Sequence, residues 1–186
     1  MTGRRAVRWL ASAVLAGLLT ACAGGTDTAN HTPSIFAPPP PPEPRPAVPL
    51  GDTLQLDRIG GGREAVTLTG LINPATVAFG FGNTGKNYLA AELAIQNLGT
   101  TTIVGDTNNN LALIGSDQQV YRADLATVTE CTNFTLGQYV LPPQGSARGC
   151  VVFGLPPGVS PAKVRYSPSS GISRDVGEWI VGAALP

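Results

Sequence analysis

The chain is short of the residues that catalysis and metal binding draw on. Its one histidine, His31, lies in a proline-rich segment. The rest of the chain can therefore assemble neither Ser-His-Asp nor Cys-His nucleophilic machinery, and a histidine-rich metal site is excluded for the same reason. Charged residues are only 13% of the sequence, and lysine occurs twice, at Lys86 and Lys163. No Lys/Arg cluster stands beyond the N-terminal segment, so neither nucleic acid nor polybasic membrane docking is expected. No apolar run is long enough to cross a bilayer as a helix. There are three cysteines and no Cys-x-x-Cys spacing, which argues against a redox-active pair.

The N-terminus carries what the rest lacks. Arg4, Arg5 and Arg8 precede a short apolar stretch, 9–19, and Leu19-Thr20-Ala21-Cys22 then matches a lipobox. This predicts a lipoprotein signal peptide over 1–21, with Cys22 lipidated as the new first residue. An ordinary secretory signal cleaved nearby would leave Cys22 a bystander. Loss of the three arginines leaves nine cations against twelve acids, so the mature chain sits near minus three. With Cys22 assigned to lipid, Cys131 and Cys150 remain as a pair. Outside the cytoplasm such a pair is expected to be bridged. Closing a loop of about 20 residues stabilises by roughly 3 kcal/mol.

Residues 22–50 read as a disordered Pro-rich linker. Positions 23–30 are small and polar; Pro38 to Pro42 is unbroken, and Pro44, Pro46 and Pro49 follow. Polyproline II at about 3.1 Å per residue would make 33–49 a spacer of roughly 50 Å. A partner that reads PxxP is the other use of such a run, but a tether between anchor and domain is the simpler one.

Residues 51–186 suffice for one domain with its own core. The organising stretch is 87–99. Leu89, Ala91, Leu93 and Ile95 fall on one face of a period-2 ribbon, with Tyr88, Ala90, Glu92, Ala94 and Gln96 on the other. Leu, Ala, Glu and Gln also suit a helix, but turn residues at both ends favour a strand. Further strands are expected at 52–57, 65–71, 111–114, 119–122, 134–141, 149–155, 162–166 and 178–181, with a resumed stretch at 76–81 and a brief pairing at 101–104 outside the count. A glycine turn falls at 59–62, a loop at 105–110 and a short helical turn at 124–129. Val151, Phe153 and Leu155 share one face, as do Val164 and Tyr166, and Phe153, Tyr166 and Trp179 read as core. Tyr88, Tyr121 and Tyr139 are expected to be partly exposed. Seven to nine short alternating strands without an amphipathic helix predict an all-β, two-sheet antiparallel sandwich.

These segments resemble a known family. Asn87 to Gly99 is similar to its long strand ending in Asn-x-Gly. Asn110-Leu111-Ala112-Leu113, followed by Gln119-Val120-Tyr121, is similar to its hairpin. Leu141-Pro142-Pro143-Gln144-Gly145, then Gly149 to Pro156, is similar to its closing motif. The family is a lipoprotein-associated domain of unknown function related to the small secreted immunogenic proteins of mycobacteria. The resemblance covers most of 51–167. It implies an immunoglobulin-like β-sandwich on a bacterial cell surface, in some members with a disulfide, and it transfers no catalytic residue. Gln118 departs from the pattern, which more often has Gly in that turn.

Four acids, Asp106, Asp117, Asp124 and Glu130, fall in the polar loop region. Acids this close in sequence are more often a solvated face than a glycosidase pair. Asp106 to Asn110 with Asp117 echoes a calcium loop, but Leu111 stands where Gly is needed and flanking helices are missing. Asn133-Phe134-Thr135 fits a glycosylation sequon without functional weight here. No catalytic residue, metal site or cofactor is expected. The expected role is a lipid-anchored module on the outer face of the plasma membrane, held to the membrane by its anchor and binding a protein or envelope component. Two other readings stay open. One is a carrier of a small hydrophobic ligand between the sheets, if Ala90, Ala91, Ala94 and Ala112 leave that gap underfilled. The other is a structural or antigenic surface protein.

Overall fold

The computed structural model of the protein describes residues 45–80 and 85–182. The signal peptide 1–21, Cys22, His31 and the linker as far as residue 44 lie outside the described residues. The strands are β1 (Val48–Pro49), β2 (Thr53–Asp57), β3 (Arg63–Ile72), β4 (Val77–Gly80), β5 (Asn87–Asn97), β6 (Ile103–Asp106), β7 (Leu111–Gly115), β8 (Val120–Arg122), β9 (Ala126–Val128), β10 (Gln138–Leu141), β11 (Ser146–Leu155), β12 (Pro161–Tyr166) and β13 (Gly177–Ile180). One helical turn, α1 (Thr107–Asn110), links β6 to β7.

Nine of these strands make the sandwich. One sheet has the order β11-β5-β3-β2 and is antiparallel throughout; the other has the order β1-β13-β12-β7-β8. The remaining four form two antiparallel ribbons, β6–β10 and β4–β9. A single core joins Leu89, Ala91, Leu93 and Ile95 of β5 with Val151, Phe153 and Leu155 of β11, Leu111 and Leu113 of β7, Val164 and Tyr166 of β12, and Trp179. The predicted strand at the centre is thus a strand, with the predicted face inward. Phe153, Tyr166 and Trp179 are fully buried, as expected.

The outer face of β5 and β11 is not all solvent-facing. The β4–β9 ribbon lies over it, burying Ala90, Val128, Cys150 and Val152 in a second small cluster. The Cys131–Cys150 disulfide pins the end of that ribbon to β11. This corrects the helical turn expected at 124–129, where β9 pairs with β4 instead. Thr127 and Val128 are β-branched, and Val128 has an apolar surface to cover, so packing overrides local preference.

The ordered domain also starts earlier than the boundary at residue 51. Val48–Pro49 runs parallel to β13, pairing with Trp179 and Ile180. Arg45 reaches Asp175 at 2.8 Å and the Gln55 carbonyl at 3.1 Å. Residues 45–50 therefore belong to the fold and not to a disordered linker. Pro49 is tolerated because β1 is an edge strand, where no ladder donor is needed on the open side.

Candidate functional site

Three strand ends and the turns beyond them meet at one pole of the sandwich. The β2–β3 hairpin brings Arg58 and Glu64 there, β10 brings Tyr139, β12 ends in Tyr166, and α1 ends in Asn110. Glu64 is in phase with Val66 and Leu68, so the pleat turns its carboxylate inward and buries it completely. Arg58 donates to Glu64 Oε2 at 2.7 Å and to the Val104 carbonyl at 2.7 Å. Tyr139 donates to Glu64 Oε2 at 3.1 Å, and Tyr166 donates to Oε1 at 2.9 Å. The two hydroxyl oxygens lie 3.0 Å apart, and Asn110 Nδ2 donates to Tyr166 at 3.0 Å and to Tyr139 at 3.4 Å.

Proton counting shows what this cluster does. Each phenol has one proton and spends it on the carboxylate, while Asn110 donates to both phenol oxygens and Arg58 supplies the balancing charge. Burial pushes the Tyr139 hydroxyl up to about 12, with the Glu64 charge adding to it; Tyr166 is pushed well above the usual phenol range for the same two reasons. Both stay neutral donors at physiological pH. A satisfied buried network of this kind fixes the relative placement of the strands that contribute to it. It is structural and offers no nucleophile.

The acids singled out in the sequence are not brought together. Asp106 caps α1, accepting from the Asn108 and Asn109 amides at 2.9 and 3.3 Å and from Asn109 Nδ2 at 2.7 Å. Its oxygens are spent on the turn, which contradicts the calcium-loop echo. Asp117 sits in the β7–β8 turn and accepts from Tyr121 at 2.6 Å, a bond that holds its carboxyl below the usual range. Asp124 pairs with Lys86 at 2.9 Å. Glu130 accepts from the Thr76 amide at 2.7 Å, which likewise lowers its pKa. Lowered carboxyls are the reverse of what a general acid needs. Among the described residues no group of three or more His, Cys, Asp or Glu could hold a metal ion.

Other expectations sort in the same way. Cys131 and Cys150 are bridged, with Cα atoms 6.3 Å apart. Asn133 of the sequon donates its amide to the Val128 and Cys131 carbonyls, so it shapes the segment after β9. Tyr88 and Tyr121 are half-buried, as expected, but Tyr139 is buried, because it is in phase with Leu141 on the inner face of β10. Of the four alanines expected to loosen the gap between the sheets, only Ala91 lines it. Ala90 lies in the outer cluster, Ala94 alternates with Ala91 and Leu93 on β5, and Ala112 sits opposite Arg165 and Arg122. Trp179, Tyr166 and Phe153 fill that space instead. Among the described residues, one cleft of about 560 Å³ is open to solvent and lies on the surface beside Asp57, Gly60, Gly62 and Thr100.

Reasoning from sequence missed the exposed apolar side chains. Val104 and Val140 face each other across the outer side of the β6–β10 ribbon and are 60% and 64% exposed. Leu136, Ile59 and Ile172 are also exposed at this pole. The signal was present in part: the alternation that places Tyr139 and Leu141 inward places Val140 outward.

Comparison with solved structures gives the fold. The structure of MPT63, a secreted protein from Mycobacterium tuberculosis, is similar with a TM-score of 0.58 at 16% identity, covering 75% of this chain and all of that one. The protein YcdA from Bacillus subtilis, provisionally assigned as a lipoprotein, is similar with a TM-score of 0.52 at 13% identity, covering 69% of this chain and 38% of that one. No protein-family profile and no curated protein matches the chain. At these identities the likeness is one of architecture, an immunoglobulin-like antiparallel β-sandwich.

Proposed function

We propose that the protein is a non-catalytic, extracytoplasmic immunoglobulin-like module, anchored to the outer face of the plasma membrane through lipid on Cys22 and working by surface contact with a protein or envelope component. The observation that carries this reading is the contrast at one pole. The polar groups there are consumed inside the fold, while five aliphatic side chains stand out from it. An enzyme needs the reverse, unspent polar groups in a concavity. The lipobox, the bridged cysteines and the likeness in fold to a secreted protein and to one provisionally assigned as a lipoprotein support the location.

The test is envelope fractionation with palmitate labelling. Wild type should be labelled and remain with the membrane, and Cys22→Ala should lose both properties. Labelling that persists in Cys22→Ala would refute the anchor.

A further inference from the structure

The described chain starts at the pole that carries the apolar side chains. β1 is parallel to β13 and begins beside Trp179, so the residues just ahead of it run back toward Asp175; Arg45 pairs with Asp175, which also accepts from the Asp57 amide at 2.8 Å. The next residue pairs out from there are Ile59 with Ser169, at 3.1 Å, and Arg58 with the Val104 carbonyl. Leu136 belongs to the same end, because the following Gly137 carbonyl accepts from Thr107 of α1 at 2.9 Å. Among the described residues, five of the ten large exposed apolar side chains, Ile59, Val104, Leu136, Val140 and Ile172, are thus carried by the turns and the ribbon around the point where the N-terminal segment arrives. The other five are spread over β1–β13, β8 and the β4–β9 ribbon.

Formal charge at this pole nearly balances, with three ion pairs inside the fold and the exposed Arg174 offset in the count by the Asp106 carboxylate that caps α1. Arg45 pairs with Asp175, Arg58 with Glu64 and Arg63 with Asp57, at 2.8, 2.7 and 2.7 Å. Little net charge is left to steer a charged partner, and aliphatic side chains supply the attraction. Only 22 residues separate Cys22 from Arg45. Even fully extended they reach roughly 70 Å, so the anchor holds this pole at high local concentration near the bilayer.

We propose that this pole is a lipid-facing surface, on which Val104, Leu136, Val140, Ile59 and Ile172 insert into the headgroup–acyl boundary of the membrane that holds the anchor. The inference rests on the reading of Cys22 as acylated. The occupant is the bilayer because the attachment point and the aliphatic side chains share one end of the domain. Insertion of aliphatic side chains without a cationic patch makes docking nearly indifferent to anionic lipid and to salt.

The mature chain supplies a clean optical test, since Trp179, its one tryptophan once the signal is removed, is buried in the core. The acylated chain is reconstituted in phosphatidylethanolamine–phosphatidylglycerol vesicles with brominated acyl chains, as V140W, as I172W and as V120W on the opposite half of the molecule. Docking predicts loss of roughly half the added emission for V140W and I172W, little loss for V120W, and the same result in zwitterionic vesicles. Two reporters on separate turns guard against one substitution disturbing its own surroundings. A chain that floats with the vesicles while neither reporter is quenched overturns the docking and leaves the anchor standing. Reporters that shift to the blue without bromine quenching also overturn it, and assign the pole to a second copy of the chain. A chain that does not float overturns the anchor and the docking with it.

Discussion

Replacing Arg58 by Met should be among the most damaging single changes outside the apolar core. The arginine side chain is 10% exposed and Glu64 is fully buried, so the pair is shielded from solvent screening. Removing the guanidinium deletes the 2.7 Å bond to Glu64 and the 2.7 Å bond to the Val104 carbonyl, and leaves a buried carboxylate with two phenols for company. Breaking a buried pair from one side costs about 3 to 5 kcal/mol. The reciprocal change, Glu64→Gln, keeps the shape and one acceptor, and should cost about 2 to 3 kcal/mol by leaving Arg58 uncompensated. The double variant should be less destabilised than the sum of the singles, because neither charge then stands alone; a coupling of about 1 to 3 kcal/mol is expected. Urea unfolding followed by circular dichroism, with equal slopes across the four proteins, measures this directly. The reasoning fails if Arg58→Met costs under about 1 kcal/mol, or if the two changes add within about 0.5 kcal/mol.

Three further outcomes follow from the same geometry. Cys150→Ser opens a bridge spanning 19 residues and should cost about 3 kcal/mol, with faster amide exchange in β4 and β9 than in β5; an unchanged melting temperature would show that the bridge carries no stability. Gly105→Ala places a methyl against the Tyr139 ring, whose hydroxyl is held by Glu64 of β3 and Tyr166 of β12, and should cost about 1 to 3 kcal/mol by denaturant titration; a neutral result would mean that the ribbon is free to shift. Because the folded pKa of Tyr139 lies above the unfolded one, its stabilising effect is complete below about pH 10 and is lost as pH rises toward 12. Tyrosinate absorbance should therefore rise in step with loss of the fold, and Tyr139 ionising near pH 10 in an intact fold would contradict its burial.

Much of the sandwich is legible in the alternation. Leu89 to Ile95, Val151 to Leu155 and the Val164–Tyr166 pair each place their apolar members inward with no help from the rest of the chain. The polar cluster is legible only in hindsight. Glu64 shares the phase of Val66 and Leu68, but an acid at the start of a strand normally marks its solvated end, and nothing local signals that Arg58, Tyr139, Tyr166 and Asn110 converge on it. Those partners lie up to 102 residues away in the chain, so only the tertiary fold can reveal them. Of the β4–β9 ribbon only β9 was hidden, for a related reason: residues 124–129 take their shape from the face they cover. At Gln118 the departure from the family pattern had a simple resolution. The residue adopts the left-handed conformation, φ 63°, that Gly would supply, and the turn keeps its 3.0 Å bond from the Gln118 amide to Gly115.

How the chain is finished and where it resides decide whether it is a lipid-anchored surface module. Intact-mass analysis of the protein extracted from the producing cell's membrane tests both at once. It should give a chain that begins at Cys22, carries a thioether-linked diacylglycerol, and has Cys131 and Cys150 oxidised. A chain that retains residues 1–21, carries no lipid and is recovered from the cytoplasmic fraction with two free thiols would contradict it.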